Sequence, residues 1–278
     1  MVVNNLIYDV GMHNGDDTAY YLSLGFRVIA IDASPKLVED AQERFNNFIT
    51  DKKLEILNLG IADTEAYMDF YLNKLNSVWN SFDKNIGTRE GSDYEIIKVK
   101  TTSIDKIVKE KGVPHYMKID IEGNDILCLT ALLNCEERPK YISVEMNDID
   151  QILKLKELGY KKFKIIHQPS LLPLQVPEFR EYNIYRKHMA FKQSRNIFVR
   201  VARKTFGKSI NRWFENKYRH LYNYNHPFGS SGTFGGHLPG KWLNFEEAMY
   251  VFLYYKAKHQ KSEWDTGYNY WIDMHATD

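Results

Sequence analysis

Apolar residues along this chain fall into short runs that end in polar turns, separated by stretches with a helical repeat. Leu6-Ile7-Tyr8 leads into Asp9-Val10-Gly11, and Val28-Ile29-Ala30-Ile31 ends at Asp32. Further runs lie at 53–62, 116–121, 141–146 and 163–167. Such runs, four to eight residues long and rich in β-branched side chains, read as buried strands. Between them, residues 16–24 read as a helix closed by Gly25. Ser34-Pro35 opens another, with Ser34 as N-cap and Pro35 at the first helical position. Leu37, Ala41 and Phe45, four apart, form its inward stripe. Residues 103–110 and 149–158 supply further helices, and 68–72 and 96–99 look like added strands around a polar loop. Strands alternating with helices make an α/β fold, a mostly parallel sheet covered on both faces.

Candidate chemistry begins at the end of the first strand. Asp9-Val10-Gly11-Met12-His13-Asn14-Gly15 has the spacing D-x-G-x-x-x-G. It lacks the G-x-G-x-x-G of dinucleotide sites and the terminal lysine of a nucleotide-hydrolysing P-loop. Gly11 permits a tight turn, and Gly15 is expected to let backbone approach a ligand. Asp9 suits a cationic amino group, or the amides of the turn, better than a phosphate. Asp32, at the carboxyl end of the second strand, is placed to accept from both hydroxyls of a ribose. A ribose anchor without a phosphate cradle points to a nucleoside with a non-phosphate tail, which S-adenosylmethionine fits. The plain alternative is a generic βαβ opening with turn glycines and an exposed aspartate.

Charge divides the chain in two. Residues 1–168 hold 27 acids against 21 Lys and Arg, and residues 169–278 hold 16 Lys and Arg against 9 acids. That asymmetry suggests two functional regions. Residues 1–168 are expected to form the cofactor-binding core, 169–262 a basic helical and glycine-rich insertion on the acceptor side, and 263–278 a final edge strand returning to the core. Cys128 and Cys135 match neither a disulfide framework nor a zinc site. With no signal peptide and no apolar run of spanning length, the expected location is cytoplasmic.

Four segments, YDVGMHNGDDT, VIAIDASP, MKIDIEGND and ISVEMN, together resemble the FkbM-type S-adenosylmethionine-dependent methyltransferases. Lys118-Ile119-Asp120-Ile121-Glu122-Gly123 is the most characteristic of them, and the resemblance covers about residues 5–168. Residues 231–235 and 270–276 are also similar to the tail of one branch of that family. The resemblance implies the class I, Rossmann-like methyltransferase sheet. It also implies methylation of hydroxyl oxygens on sugars, glycolipids or polyketides. His13 stands where the family has a small or aliphatic residue. Asp9, Gly11, Asn14, Gly15, Thr18, Asp32, Ser34, Gly60, Asp63 and Asp120 are the expected cofactor residues. Asp63 is assigned to the adenine partly by family placement, and a polar turn is its plain alternative.

Methyl transfer to an alcohol is an in-line displacement, so alignment matters, and the hydroxyl must shed a proton. Asp120 ends a strand on the cofactor's methionine side, and Glu122 shares its side if the chain stays extended. Glu145 brings a third carboxylate. Asp120 or Glu122 is then a general base, with its proton affinity raised by the other's charge. Alternatively Asp120, Glu122 and Glu145 gather Mg²⁺, a reading not favoured, or Glu122 caps a helix and Glu145 pairs with a lysine. His13 is an alternative base.

Ser77, Trp79 and Ser81, in a polar loop with one large aromatic, are acceptor-side candidates. A loop anchored by a buried Trp would read the same way. Pro227 to Gly240 is glycine-rich, either a lid or a long connection, and contributes Ser231 and His237, with His275 beyond it. From Arg186 to Arg219 there are 11 Lys or Arg and one acid, Glu215, with Ile197, Val201, Ile210, Trp213 and Phe214 interleaved. This reads as one or two amphipathic helices interrupted at Gly207. They form either a cap with its charge in water or a contact for an anionic acceptor or membrane face. Nucleic acid ranks last as a partner, for want of any named binding module, and the sequence leaves the oligomeric state open. The activity expected is O-methylation of a glycan, glycolipid or similar polyol. The alternatives are an N-methyltransferase, a protein or nucleic-acid acceptor, or a non-catalytic binding module of the same fold.

Overall fold

The computed structural model describes residues 2–260 and 271–278. The chain opens with β1 (Val2–Val10), α1 (Asp16–Ser23), β2 (Arg27–Asp32), α2 (Pro35–Arg44), α3 (Asn46–Thr50) and β3 (Leu54–Asn58). There follow β4 (Gly60–Ile61), β5 (Tyr67–Asn73), α4 (Lys84–Gly87), β6 (Tyr94–Thr102), α5 (Ile104–Lys111), β7 (Val113–Ile119) and α6 (Asp125–Ala131). Next come β8 (Tyr141–Glu145), α7 (Ile149–Glu157), β9 (Lys162–His167) and β10 (Leu172–Leu174). Three helices, α8 (Arg180–Gln193), α9 (Ile197–Tyr218) and α10 (Phe245–Gln260), precede β11 (Ile272–Thr277).

Eight strands form one sheet in the order β10-β9-β11-β8-β7-β1-β2-β3, and β8, β7, β1, β2 and β3 run parallel. From β1 the chain proceeds outward to β2 and β3, then returns to place β7 and β8 on the other side. The order therefore reverses between β1 and β7, and the crevice at their carboxyl ends is where open α/β sheets take ligands. The strand sequences explain their central position: Leu6, Ile7, Tyr8 and Val10 of β1, and Tyr116 and Met117 of β7, are buried on both faces of the sheet.

Several expectations change. The last strand is not an edge: β11 lies between β8 and β9, antiparallel to both, with Asp273 opposite Glu145 on one side and Ile166 on the other. Its alternating polar residues suggested an exposed face, yet all six residues are buried because neighbours cover both faces. Residues 263–270 of the expected final segment lie outside the described residues. The single strand expected at 53–62 divides at Leu59, whose N–H donates to the Asp32 carbonyl. Beyond it β4 joins a separate sheet ordered β4-β6-β5.

The basic region breaks at Ser194-Arg195-Asn196 and not at Gly207, which is buried within α9. Asn196 caps α9 by accepting from the N–H groups of Phe198 and Val199. Arg203 donates to the carbonyls of Phe191 and Lys192 at the end of α8. The glycine-rich segment is a packed wall and not a loose lid. Tyr20 donates to Thr233 Oγ1 at 2.9 Å, and Phe234 stacks on Tyr116 with ring centroids 4.2 Å apart. Among the described residues no helix is long and apolar enough to cross a membrane.

Candidate active site

A cavity opens at the β1/β7 reversal. Its floor is the glycine turn, where Gly11 has φ +84° and its N–H donates to the Ile31 carbonyl. A Cβ on Gly11 would stand 1.7 Å from the Asp120 carbonyl oxygen, so the two strand exits approach only because this residue has no side chain. Gly15, also left-handed at φ +79°, is constrained from elsewhere. A Cβ there would meet the Phe45 ring at 2.6 Å, and Gly15 does not line the cavity. It packs the start of α1 against Phe45, at the end of α2.

Asp32 lies on the cavity wall at the end of β2. Its Oδ2 accepts from the His13 N–H and its Oδ1 from the Ser34 N–H, both at 2.8 Å. Each carboxylate oxygen keeps a further lone pair, so two hydroxyl donors still find acceptors. Burial pushes its carboxyl up to about 6. Ser34 contributes this amide but no side-chain cap to α2.

Lys118, on β7, is the electrostatic centre. Its Nζ donates to the Gly11 carbonyl at 2.8 Å and lies 3.5 Å from Asp9, 3.6 Å from Asp120 and 3.9 Å from Asp17. Burial alone would favour the neutral amine, but the carboxylates of Asp120, Asp9 and Asp17 hold its ammonium form well above the ordinary lysine range. Asp9 is fully buried behind the turn, where Thr18 Oγ1 donates to it at 2.6 Å. Neither Asp9 nor Thr18 lines the cavity; both stand behind it, Asp9 beside Lys118 and Thr18 on α1. Burial pushes the Asp9 carboxyl up to about 6.

The strand ends at Ile119, and Glu122 has a left-handed φ of +45°, so the alternation expected to align it with Asp120 does not extend that far. The turn brings them together by another route. Carboxylate oxygens of Asp120, Glu122 and Glu145 lie within 4.8 Å of one another. Ser81 Oγ holds the turn by donating to the Glu122 carbonyl at 2.6 Å. Burial, then the Asp120 charge, pushes the Glu122 carboxyl up to about 7, although Arg89 stands 3.6 Å away. Burial likewise raises Glu145 well above the carboxylate range.

His13, with φ +52°, faces the cavity and exchanges a hydrogen bond between Nε2 and Ser77 Oγ at 2.9 Å. Burial, and then Lys118, lowers its proton affinity. Asn14, Gly60 and Ser77 also line the cavity. Asp63 does not: it is exposed, and the wall beyond Asp32 is made by Leu59, Gly60 and Ile61 with Phe70 and Phe82. Trp79 lies off the cavity, Ser81 acts through the Glu122 turn, and His237 is exposed elsewhere. His275 is buried in β11. Ser231 is buried and donates its N–H to Asp17 at 3.1 Å, while its neighbour Ser230 lines the cavity.

Sequence reasoning missed Lys118, Asp17, Ser230, Phe228 and Trp271 as site residues. Lys118 carried a signal, a charged residue inside an apolar strand run. The others become neighbours only through tertiary packing.

A family model described as the Methyltransferase FkbM domain matches residues 9–162, more than half of the chain. The chain belongs to the FkbM methyltransferase family. That model describes a methyltransferase domain, and the cavity residues fit S-adenosylmethionine as methyl donor. Among the described residues the lining holds Asp16, Asp17, Asp32, Asp120 and Glu122 against one lysine, Lys118. Such a wall suits a sulfonium and an ammonium and repels a phosphate. Among curated proteins none matches the chain.

Solved structures with a loose likeness include the C-terminal domain of precorrin-6Y C5,15-methyltransferase from Rhodobacter capsulatus. It is 12% identical at a TM-score of 0.33, over 56% of this chain and 60% of that one. An rRNA methylase from Streptococcus thermophilus is also 12% identical at 0.33, over 59% and 75%. At these scores the likenesses are too loose to bear on this FkbM chain's chemistry.

Proposed function

We propose that this FkbM methyltransferase methylates a hydroxyl oxygen of a glycan, glycolipid or related polyol. The observation that carries the reading is Glu122, a carboxyl on the cavity wall pushed up to about 7 beside Asp120. An alcohol must release its proton at or near attack, and a base titrating near neutral pH is matched to that task. Glu122 Oε receives the proton, with Asp120 beside it orienting the hydroxyl and Lys118 Nζ standing 3.6 Å from Asp120. Asp32 would accept from the donor's ribose hydroxyls, Leu59, Gly60 and Ile61 would border its adenine, and Asp17 and Asp120 would hold its amino-acid end. When bound, S-adenosylmethionine supplies an electrophilic methyl group on a sulfonium.

The acidic lining also supports an uncharged or polyol acceptor over nucleic acid, whose phosphates such a wall would repel. The divalent cation forms no part of the reading. Lys118 and Arg89 already stand beside Asp120 and Glu122, and burial favours the protonated form of Glu145.

The test is transfer of radiolabelled methyl from S-adenosylmethionine to lipid and glycan extracts. Label recovered on carbohydrate as a base-stable methyl ether supports the reading. Label on nitrogen, on protein or on RNA overturns it.

A further inference from the structure

Helix α9 carries two rows of side chains that the fold does not use. Gly207 and Tyr218 are buried, Ile210 and Phe214 are half-buried, and His188 of α8 stacks on Phe214 with ring centroids 4.7 Å apart. That face holds the helix to the body. Away from it, Phe198 is 80% exposed, Phe206 62%, Val201 58% and Trp213 57%. At 100° per residue these side chains span one broad flank of the helix. Arg200, Lys204, Lys208 and Arg212, four apart, form an exposed row beside them. Among the described residues none of these four pairs with a carboxylate.

Exposed large apolar residues in a row are uncommon on a monomer and mark contact surfaces. Here their partner is constrained by the adjoining cations. A single helix with Phe and Trp on one strip, Lys and Arg along the next, and too little apolar length to span a bilayer has the make-up of an interfacial helix. Its apolar strip enters the acyl boundary and its cations meet headgroup phosphates. A second copy of the chain fits less well, because it would bring two unpaired cation rows together.

The helix is also joined to the site. From Tyr218 the chain passes Tyr224 and His226, which pack on the Tyr20 ring at 4.7 and 4.6 Å. It reaches the cavity wall at Phe228, Gly229 and Ser230. We propose that α9 is a surface anchor that seats this methyltransferase on an anionic lipid leaflet. The inference does not depend on which acceptor is methylated.

Flotation of the full chain with vesicles of phosphatidylcholine, with and without phosphatidylglycerol, tests it in the absence of substrate. Binding is expected on the anionic vesicles and at least about tenfold weaker on the neutral ones, declining with salt. The variants Phe198→Ser/Phe206→Ser/Trp213→Ser and Arg200→Gln/Lys204→Gln/Lys208→Gln should each lose about tenfold or more. Both should keep the wild-type affinity for S-adenosylhomocysteine, which shows that the fold is intact. In the intact chain, anionic vesicles should shift tryptophan emission to the blue, and Trp213→Phe should remove that shift. Equal binding to both vesicle types overturns the proposal. So does full retention by the apolar triple variant, or binding to a single-stranded oligonucleotide that exceeds vesicle binding. A dimer that the same variant dissociates, without vesicle binding, overturns it as well.

Discussion

Lys118 Nζ donates to the carbonyl oxygen of Gly11 at 2.8 Å, tying the carboxyl end of β7 to the turn after β1. The same ammonium faces Asp9, Asp17 and Asp120, and its side chain is almost fully buried. One cation thus compensates three carboxylates at the point where the sheet order reverses. Replacing it with Met should leave those acids unpaired and cost about 3–5 kcal/mol at neutral pH. Part of the loss should return near pH 5, where Asp9, pushed up to about 6, takes up a proton. Urea unfolding of Lys118→Met at the two pH values measures both effects, and equal losses at both would contradict the assignment.

Gly11→Ala is expected to destabilise the protein by about 3 kcal/mol. The left-handed backbone and the Asp120 carbonyl, 1.7 Å from the new Cβ, both oppose it. Gly25→Ala is the control. It shares the positive φ but has open space around the Cβ, so it should cost only the backbone term, about 1 kcal/mol. Chemical denaturation of the pair separates close packing from backbone strain.

Asp32→Ala should weaken S-adenosylhomocysteine binding at least tenfold, about 1.4 kcal/mol. It removes acceptors for the ribose and releases the His13 and Ser34 amides that shape the rim. Titration calorimetry reads the change, and unaltered affinity would remove Asp32 from the cofactor site.

Glu122 links rate and stability to pH in opposite directions. Its folded-state carboxyl titrates near 7, above its ordinary value, so the native state binds the proton more tightly than the unfolded chain. Stability from this group is therefore greatest at low pH and falls, by about 3 kcal/mol, as pH rises from about 4.5 through 7. Methyl transfer should rise over the upper part of the same window as the base ionises. Glu122→Gln should flatten the stability slope and lower kcat by about 10²–10⁴. Thermal melts and initial rates across pH 5–9 test the two together. A variant with wild-type turnover would exclude Glu122 as the base.

Chelation should leave methyl transfer unchanged, since Asp120 and Glu122 are placed beside Lys118 and Arg89. Activity lost to a chelator and restored by Mg²⁺ would assign the Asp120, Glu122 and Glu145 cluster to a cation instead.

Local patterns in the sequence determined the strand and helix succession, the glycine turn, and Asp32 at the end of β2. Each depends on residues close along the chain: a β-rich apolar run, a Pro after a cap, an acid at a strand exit. They also marked Asp120, Glu122 and Glu145 as one acidic group. Only the tertiary structure decided which turn residues face the cavity. Gly15 and Gly11 look alike in sequence, but one meets a ring from α2 and the other meets a carbonyl after β7. It also decided that Asp9 and Thr18 lie behind the turn and Asp63 in water. It placed β11 between two strands and showed which side of α9 stays exposed. Those outcomes depend on neighbours 30 to 200 residues away, because burial and charge pairing belong to the packed fold and leave little trace in local order.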